Sequence, residues 1–178
     1  VTAEGPRPDP PADVTVERAT PDDRLDALRI LDAAMLSTDA ATVDDRIDAG
    51  DAVVARSART GGVVGALVAV RPDSDRLHVD AVAVRRARRG EGIGAALVAA
   101  ALDRGASDPA VAAVTATFDA DLRGFYEGLG FAVRPAGARG DDAEEAPGDD
   151  AHGAAGDDAS GSSDRLAGRA PVTGRERS

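Results

Sequence analysis

Cysteine is absent from the 178-residue chain, which excludes disulfides, thiolate catalysis and the common zinc frameworks. Lysine is absent as well, so a Walker A loop, with its Gly-Lys-Ser or Gly-Lys-Thr, cannot be formed. Histidine is scarce: His78 and His152 lie far apart in sequence, and no metal site is expected. Tryptophan is missing, and three Phe and one Tyr are the only aromatics. The core must therefore come from Val, Ala, Leu and Ile, with little area buried at each Ala. No apolar run of about 18 residues occurs, and residues 1–11 are polar and Pro-rich, unlike a signal peptide. A soluble, cytoplasmic protein is the expectation.

Acidic residues number 32 against 21 basic ones, all Arg, for a net charge of −11. Such a surface repels nucleic-acid phosphates and anionic lipid at long range, so neither is expected as a principal partner. The Asp-rich, Lys-free, Ala- and Gly-rich composition resembles that of proteins from salt-in halophiles, in which salt screens the repulsion among carboxylates. Stability is then expected to depend on salt.

The length fits about one domain. Residues 1–11 read as a disordered arm and 12–136 as the folded domain. The segment 137–178 reads as an acidic tail: apolar periodicity stops, and Asp-Asp recurs at 141, 149 and 157. Within that tail only 164–173 has the pattern of a last strand. Inside the domain, Val14 and Val16 mark a strand over 12–18. Thr20 as N-cap and Pro21 open a helix to about Leu36. A short helix over 42–49 ends at Gly50. Residues 51–58 and 62–70 form a hairpin joined at 59–61, and 77–84 is a further strand. A long helix over 92–105, a strand over 110–118, a helix over 120–129 ended by Gly130, and a strand from Phe131 follow. The order β-α-α-β-β-β-α-β-α-β implies an α+β fold, a mixed sheet with helices on its faces.

The sharpest chemical feature is Val82-Ala83-Val84, then Arg89-Gly90-Glu91-Gly92-Ile93-Gly94-Ala95, a strand running through a Gly-rich turn into a helix. Amides at a helix start are unpaired and converge, and the dipole favours an anion there. A pyrophosphate is the expected guest, with Gly90, Gly92 and Gly94 clearing its approach and allowing positive φ. A Rossmann fingerprint is excluded by spacing: the triplet is Gly-x-Gly-x-Gly, it follows about the fourth strand, and no acid closes the next strand. A tight turn capped by glycines remains the plain alternative. Arg85, Arg86, Arg88 and Arg89 crowd the same turn, either as anion ligands or as solvated charges.

At this point the chain resembles the GNAT acetyltransferase superfamily. Arg89, Gly92 and Gly94 match its Gln/Arg-x-x-Gly-x-Gly/Ala loop, and Phe125-Tyr126-Glu127-Gly128-Leu129-Gly130-Phe131 is similar to its Phe-Tyr-x-x-x-Gly-Phe. The likeness covers about residues 13–135. It implies splayed central strands, and acetyl-CoA bound along the edge of Val82, Ala83 and Val84 with its diphosphate on the amides of Arg89 to Ala95. It also implies transfer of acetyl to a primary amine in a ternary complex. Tyr126, by position, takes the role of acid for the leaving thiolate, or else is a core aromatic beside Phe125 and Phe131. Phe125 falls in the same cofactor-binding motif. The Val84 amide is the candidate to polarise the acetyl carbonyl. His78 and Asp80 are candidate bases, on one face of their strand by period-2 alternation. Each is alternatively an ordinary strand residue, with the amine losing its proton to solvent. The family's Asn seven residues before the Tyr is Asp119 here, which cannot donate when ionised, and the usual last strand is displaced or missing. The acceptor is a small-molecule or peptide amine, drawn by acidity toward the cationic kind. The protein would act as a monomer or homodimer. A non-catalytic acyl-CoA sensor is the alternative reading.

Overall fold

The computed structural model describes residues 8–34, 36, 38–137 and 165–172. Strand β1 (Val14–Arg18) leads to α1 (Arg24–Ala33), entered through a single 3-10 turn at Pro21–Asp23. The Asp23 carboxylate closes that entry by accepting from both the Thr20 amide and its hydroxyl, each at 2.9 Å. Asp39 caps α2 (Ala40–Ala49) through the Thr42 amide at 3.0 Å, and Gly50, at φ 72°, ends it. The hairpin follows as β2 (Ala52–Ser57) and β3 (Val63–Asp73), then β4 (Arg76–Val84), α3 (Ile93–Ala106), β5 (Ala113–Asp119), α4 (Arg123–Gly128), β6 (Ala132–Pro135) and β7 (Arg165–Pro171).

The sheet runs β1-β2-β3-β4-β5-β7-β6. Only β4 and β5 are parallel, and their pairing stops at Val79 opposite Ala116. Helices α3 and α4 cover one face, where Leu77, Val79, Leu97, Val98, Val114 and Phe118 form a core. On the other face α1 and α2 pack against β2, β3 and β4, over Ile30, Leu31, Val43, Val54, Val68 and Ala81. Because β2 and the first part of β3 are buried on both faces, they read as near-continuous apolar runs, whereas β4 alternates.

Strand β7 corrects the domain boundary expected at residue 136. It inserts antiparallel between β5 and β6 along seven residue pairs, from Ala113 opposite Pro171 to Asp119 opposite Arg165, so the fold includes residues 165–172. The last strand expected within 164–173 is thus found at Arg165–Pro171. Residues 138–164, and the rest of the expected tail, lie outside the described residues, as do residues 1–7 of the arm.

A buried ion-pair cluster ties the sheet to the far end of α3. Asp51, 1% exposed at the start of β2, accepts from Arg71 Nε at 2.8 Å and meets Arg104 Nη2 at 3.2 Å. Arg104 also donates to the Gly50 carbonyl at 3.1 Å, and Asp108 meets Arg71 at 3.0 Å. With its C-terminal turn held this way, α3 has a determined angle on the sheet, and so does its start.

Candidate active site

The turn between β4 and α3 begins with a 3-10 turn at Arg86–Arg88 and reaches the helix through Gly90 and Gly92, at φ 82° and 83°. That conformation costs an L-residue about 1–2 kcal/mol, which glycine avoids. A Cβ at either position would meet no atom within 4 Å, so the space over the turn is open. Gly94 differs from expectation: it is helical without positive φ, and a Cβ there would stand 3.8 Å from Val84 and 3.9 Å from Phe125. The end of β4, the start of α3 and α4 therefore meet at one point.

The first helical amide bonded to the protein is that of Ala96, to the Gly92 carbonyl at 3.0 Å. Among the described residues, the N–H groups of Gly90, Glu91, Gly92, Ile93, Gly94 and Ala95 have no protein acceptor. Consecutive unpaired N–H groups at a helix start make a cradle of the kind that suits an anion.

The arginines of the turn are not equivalent. Arg88 is spoken for by Glu91 at 2.7 Å and by Asp13 at 3.0 Å. Arg85 donates to the Val63 carbonyl and Arg89 to the Val84 carbonyl. Arg89 keeps its remaining donors, and Arg86 makes no side-chain hydrogen bond among the described residues. Glu91 can offer the cradle its amide alone, since its carboxylate is neutralised by Arg88.

Beyond Val79 the edge of β4 that faces β5 is unpaired. The Arg85 amide bonds to the Val64 carbonyl across β3, so by antiparallel alternation Arg85, Ala83 and Ala81 turn their backbone groups toward β3. Val82 and Val84 turn theirs the other way, into the splay, where only the Val84 carbonyl is occupied, by Arg89. A β-bulge at Asp80 shifts the register, with Val68 opposite Ala81 but Ala69 opposite Val79. It breaks the expected alternation: Leu77 and Val79 belong to the core under α3, Ala81 and Ala83 to the core under α1 and α2. A common face for His78 and Asp80 does not follow from period 2 once this bulge intervenes.

His78 is half-buried, and its Nδ1 lies 2.9 Å from the Thr115 hydroxyl of β5, level with the last pairs before the splay. Burial pushes its pKa below the usual value, Arg76 adds to this, and Asp80 opposes it. The imidazole is therefore neutral at pH 7 and able to accept a proton. Asp80 and Asp119 are exposed, Asp119 at the end of β5.

Tyr126 on α4 is 3% exposed. Its ring stacks on Phe118 at 3.9 Å and meets Phe125 and Phe131 edge-on at 5.1 and 5.2 Å. Burial pushes its pKa up to about 12, so the phenol keeps its proton at any physiological pH. The hydroxyl makes no hydrogen bond among the described residues, yet no fully buried side-chain oxygen there goes unpartnered. It is thus the unsealed polar tip of an enclosed ring. Sequence reasoning missed Thr115 and Phe118; both lie in the β-rich run of β5, but only the register reveals their partners. Among the described residues no cluster of His, Asp and Glu has the arrangement of a metal site, and no helix there is long and apolar enough to cross a membrane.

The sequence model of the acetyltransferase (GNAT) family matches residues 22–131. No curated protein is significantly similar to the chain. Among solved structures, Ard1 from Thermoplasma volcanium superposes with a TM-score of 0.62 at 20% identity, over 91% of this chain and 99% of its own. Rv2747 from Mycobacterium tuberculosis, solved in complex with CoA, gives 0.58 at 27% identity over 66% and 71%. Naa50 from Arabidopsis thaliana, in complex with the bisubstrate analogue CoA-Ac-MVNAL, gives 0.56 at 21% identity over 69% and 85%.

Proposed function

Because the chain belongs to the GNAT acetyltransferase family, we propose that it transfers an acetyl group from acetyl-CoA to a primary amine by direct attack in a ternary complex. The carrying observation is that six consecutive unpaired amides, from Gly90 to Ala95, adjoin the unpaired edge of Val82 and Val84 and, through Phe125, the only tyrosine of the chain. The residues fit the cosubstrate: an anion cradle over open space for a diphosphate, with Arg86 and Arg89 at its margin, and a free strand edge for pantetheine amides. Acetyl-CoA supplies an activated acyl thioester.

Each residue then has a defined task. The Val84 amide, aimed into the splay, is a donor to the acetyl oxygen. Tyr126, kept protonated by burial that raises its pKa to about 12, donates a hydrogen bond to the departing thiolate and stabilises its charge until the sulfur takes a proton from solvent. His78, neutral and held by Thr115, accepts the amine's proton directly or through water. Asp80 and Asp119 supply negative charge for an approaching ammonium.

The absence of cysteine makes the test simple, since a thiol reagent reads CoA release with no background from the protein. Purified protein with acetyl-CoA and a panel of primary amines should release free thiol in step with N-acetylated product. Saturable acetyl-CoA binding with no amine-dependent thiol from any acceptor would identify a sensor and overturn the reading.

A further inference from the structure

On the face carrying α1 and α2, the sheet is covered over β2, β3 and β4, but no described helix packs over β5, β7 and β6. Strand alternation fixes what projects there. On β5, Val114, Ala116 and Phe118 face α3 and α4, so Thr115, Thr117 and Asp119 face the uncovered side. On β7, Leu166 and Ala170 join the same core, and a Cβ at Gly168 would press on Phe118 and Phe131. Arg165, Ala167 and Arg169 therefore share the uncovered side. On β6, Val133 packs inward and Arg134 outward.

The registers locate these groups. Arg169 stands opposite Thr115, the partner of His78, Arg165 stands opposite Asp119, and Arg134 stands opposite Ala167, between the two β7 arginines. With about 3.3 Å per residue and about 4.8 Å between strands, Arg134 lies roughly 8 Å by Cα from each of the others. Three long side chains at that spacing can converge on one anion. All three are exposed, and none makes an ion pair or side-chain hydrogen bond among the described residues. This is notable in a chain of net charge −11, where Arg56, Arg71, Arg88 and Arg104 each meet a carboxylate.

The patch borders the side from which the acceptor must come. Phe118, Phe125, Tyr126 and Phe131 fill the α3 and α4 side of the splay, leaving the helix-free face for the amine. We propose that the acceptor is a small amino acid bearing carboxylate, above all a dicarboxylic one, its ammonium near His78 and its carboxylates on Arg134, Arg165 and Arg169. Arginine forks bind carboxylates in bidentate fashion. The local field on this face thus opposes the cationic preference that net charge suggests. The inference rests on the acetyltransferase reading and deepens it.

The test compares initial rates with L-glutamate, the same skeleton with both carboxyls amidated, spermidine, and short peptides with acidic first residues. Glutamate should exceed its diamide at least tenfold in kcat/KM. Arg165→Gln and Arg169→Gln should each raise the glutamate KM about tenfold or more, with part recovered by Lys at the same site. The acetyl-CoA KM should stay in place, which separates an acceptor carboxylate from the phosphates of CoA as the anion bound. Arg59→Gln, on the exposed β2–β3 turn, serves as the neutral control, and melting curves report folding. A better rate with spermidine or peptides, or Arg variants that leave the acceptor KM unmoved or shift the acetyl-CoA KM instead, would overturn the proposal. So would faster glutamate turnover on deleting residues 138–164, which would make the chain's own acidic segment the occupant. If no amine turns over but acetyl-CoA still binds, glutamate must raise the melting temperature of the CoA-saturated protein, and no rise refutes it. Failure to bind acetyl-CoA at all would instead sink the acetyltransferase reading, and this one with it.

Discussion

Gly92→Ala isolates the cradle from the rest of the fold. Gly92 sits at φ 83°, ψ 0°, and a Cβ there would touch nothing within 4 Å. The cost to the free protein is then only the left-handed backbone, about 1–2 kcal/mol, or roughly 2–8 °C for a domain of this size. If the turn relaxes to escape that cost, the neighbouring amides rotate out of the cradle. Losing one or two charge-assisted contacts, about 1.5–3 kcal/mol, raises the acetyl-CoA Kd about 10- to 100-fold. At a ligand concentration of 100 times the wild-type Kd, acetyl-CoA stabilises the native protein by about 2.7 kcal/mol, and the variant by only about 0.4–1.4 kcal/mol. Thermal melting with and without acetyl-CoA measures both terms. Gly94→Ala is the contrast: Gly94 is helical, the added methyl makes ordinary contacts at 3.8 and 3.9 Å, and the free protein gains up to about 1 kcal/mol of helix propensity. A Gly92→Ala protein that melts like the wild type, and so has relaxed, yet keeps the full acetyl-CoA shift would refute the cradle.

Tyr126→Phe keeps the stack on Phe118 and removes a hydroxyl without a protein partner. Stability should change by less than about 0.5 kcal/mol while kcat falls about 10²-fold or more, as read by thiol release on a protein that still binds acetyl-CoA. His78 has its folded pKa below 6.5, so the neutral ring and the stability linked to it are fully present above pH 6.5 and are lost as pH falls through the lowered value. The acidic limb of kcat/KM should lie below pH 6.5 and vanish in His78→Gln. Asp51→Asn removes the buried charge that Arg71 and Arg104 share and leaves them only Asp108, and denaturant unfolding should report a loss of about 1–3 kcal/mol; a loss under about 0.5 kcal/mol would contradict the structural role given to this cluster.

Features generated by neighbouring residues were legible along the chain. Thr20 and Pro21 announce the entry to α1, Gly50 the end of α2, and Gly90 and Gly92 the turn before α3, because each acts within four residues through a cap, a fixed φ or a positive φ. The expected order of strands and helices likewise follows from apolar periodicity. The loop was legible as a glycine-rich helix start, and the role of Tyr126 came from the resemblance of its motif to the family's. Less legible was anything resting on contacts distant in sequence. The four arginines of the turn looked alike until Asp13, 75 residues from Arg88, singled one out. The bulge at Asp80 leaves no trace in the hydropathy of β4, since the buried residues Leu77, Val79, Ala81 and Ala83 keep one unbroken alternation through it although they enter two different cores.

By itself, the sequence determined that a helix must begin at an amide-rich glycine turn after an apolar strand, and that one tyrosine must follow in a short helix near the end of the domain. Only the tertiary structure decided that β7 lies between β5 and β6, and that it sets arginines beside His78 on a sheet face that no described helix covers. Caps, turns and periodicity are local free-energy terms written in adjacent side chains, whereas strand insertion and register are set by pairing and packing across the whole sheet, where no short window of residues holds the answer.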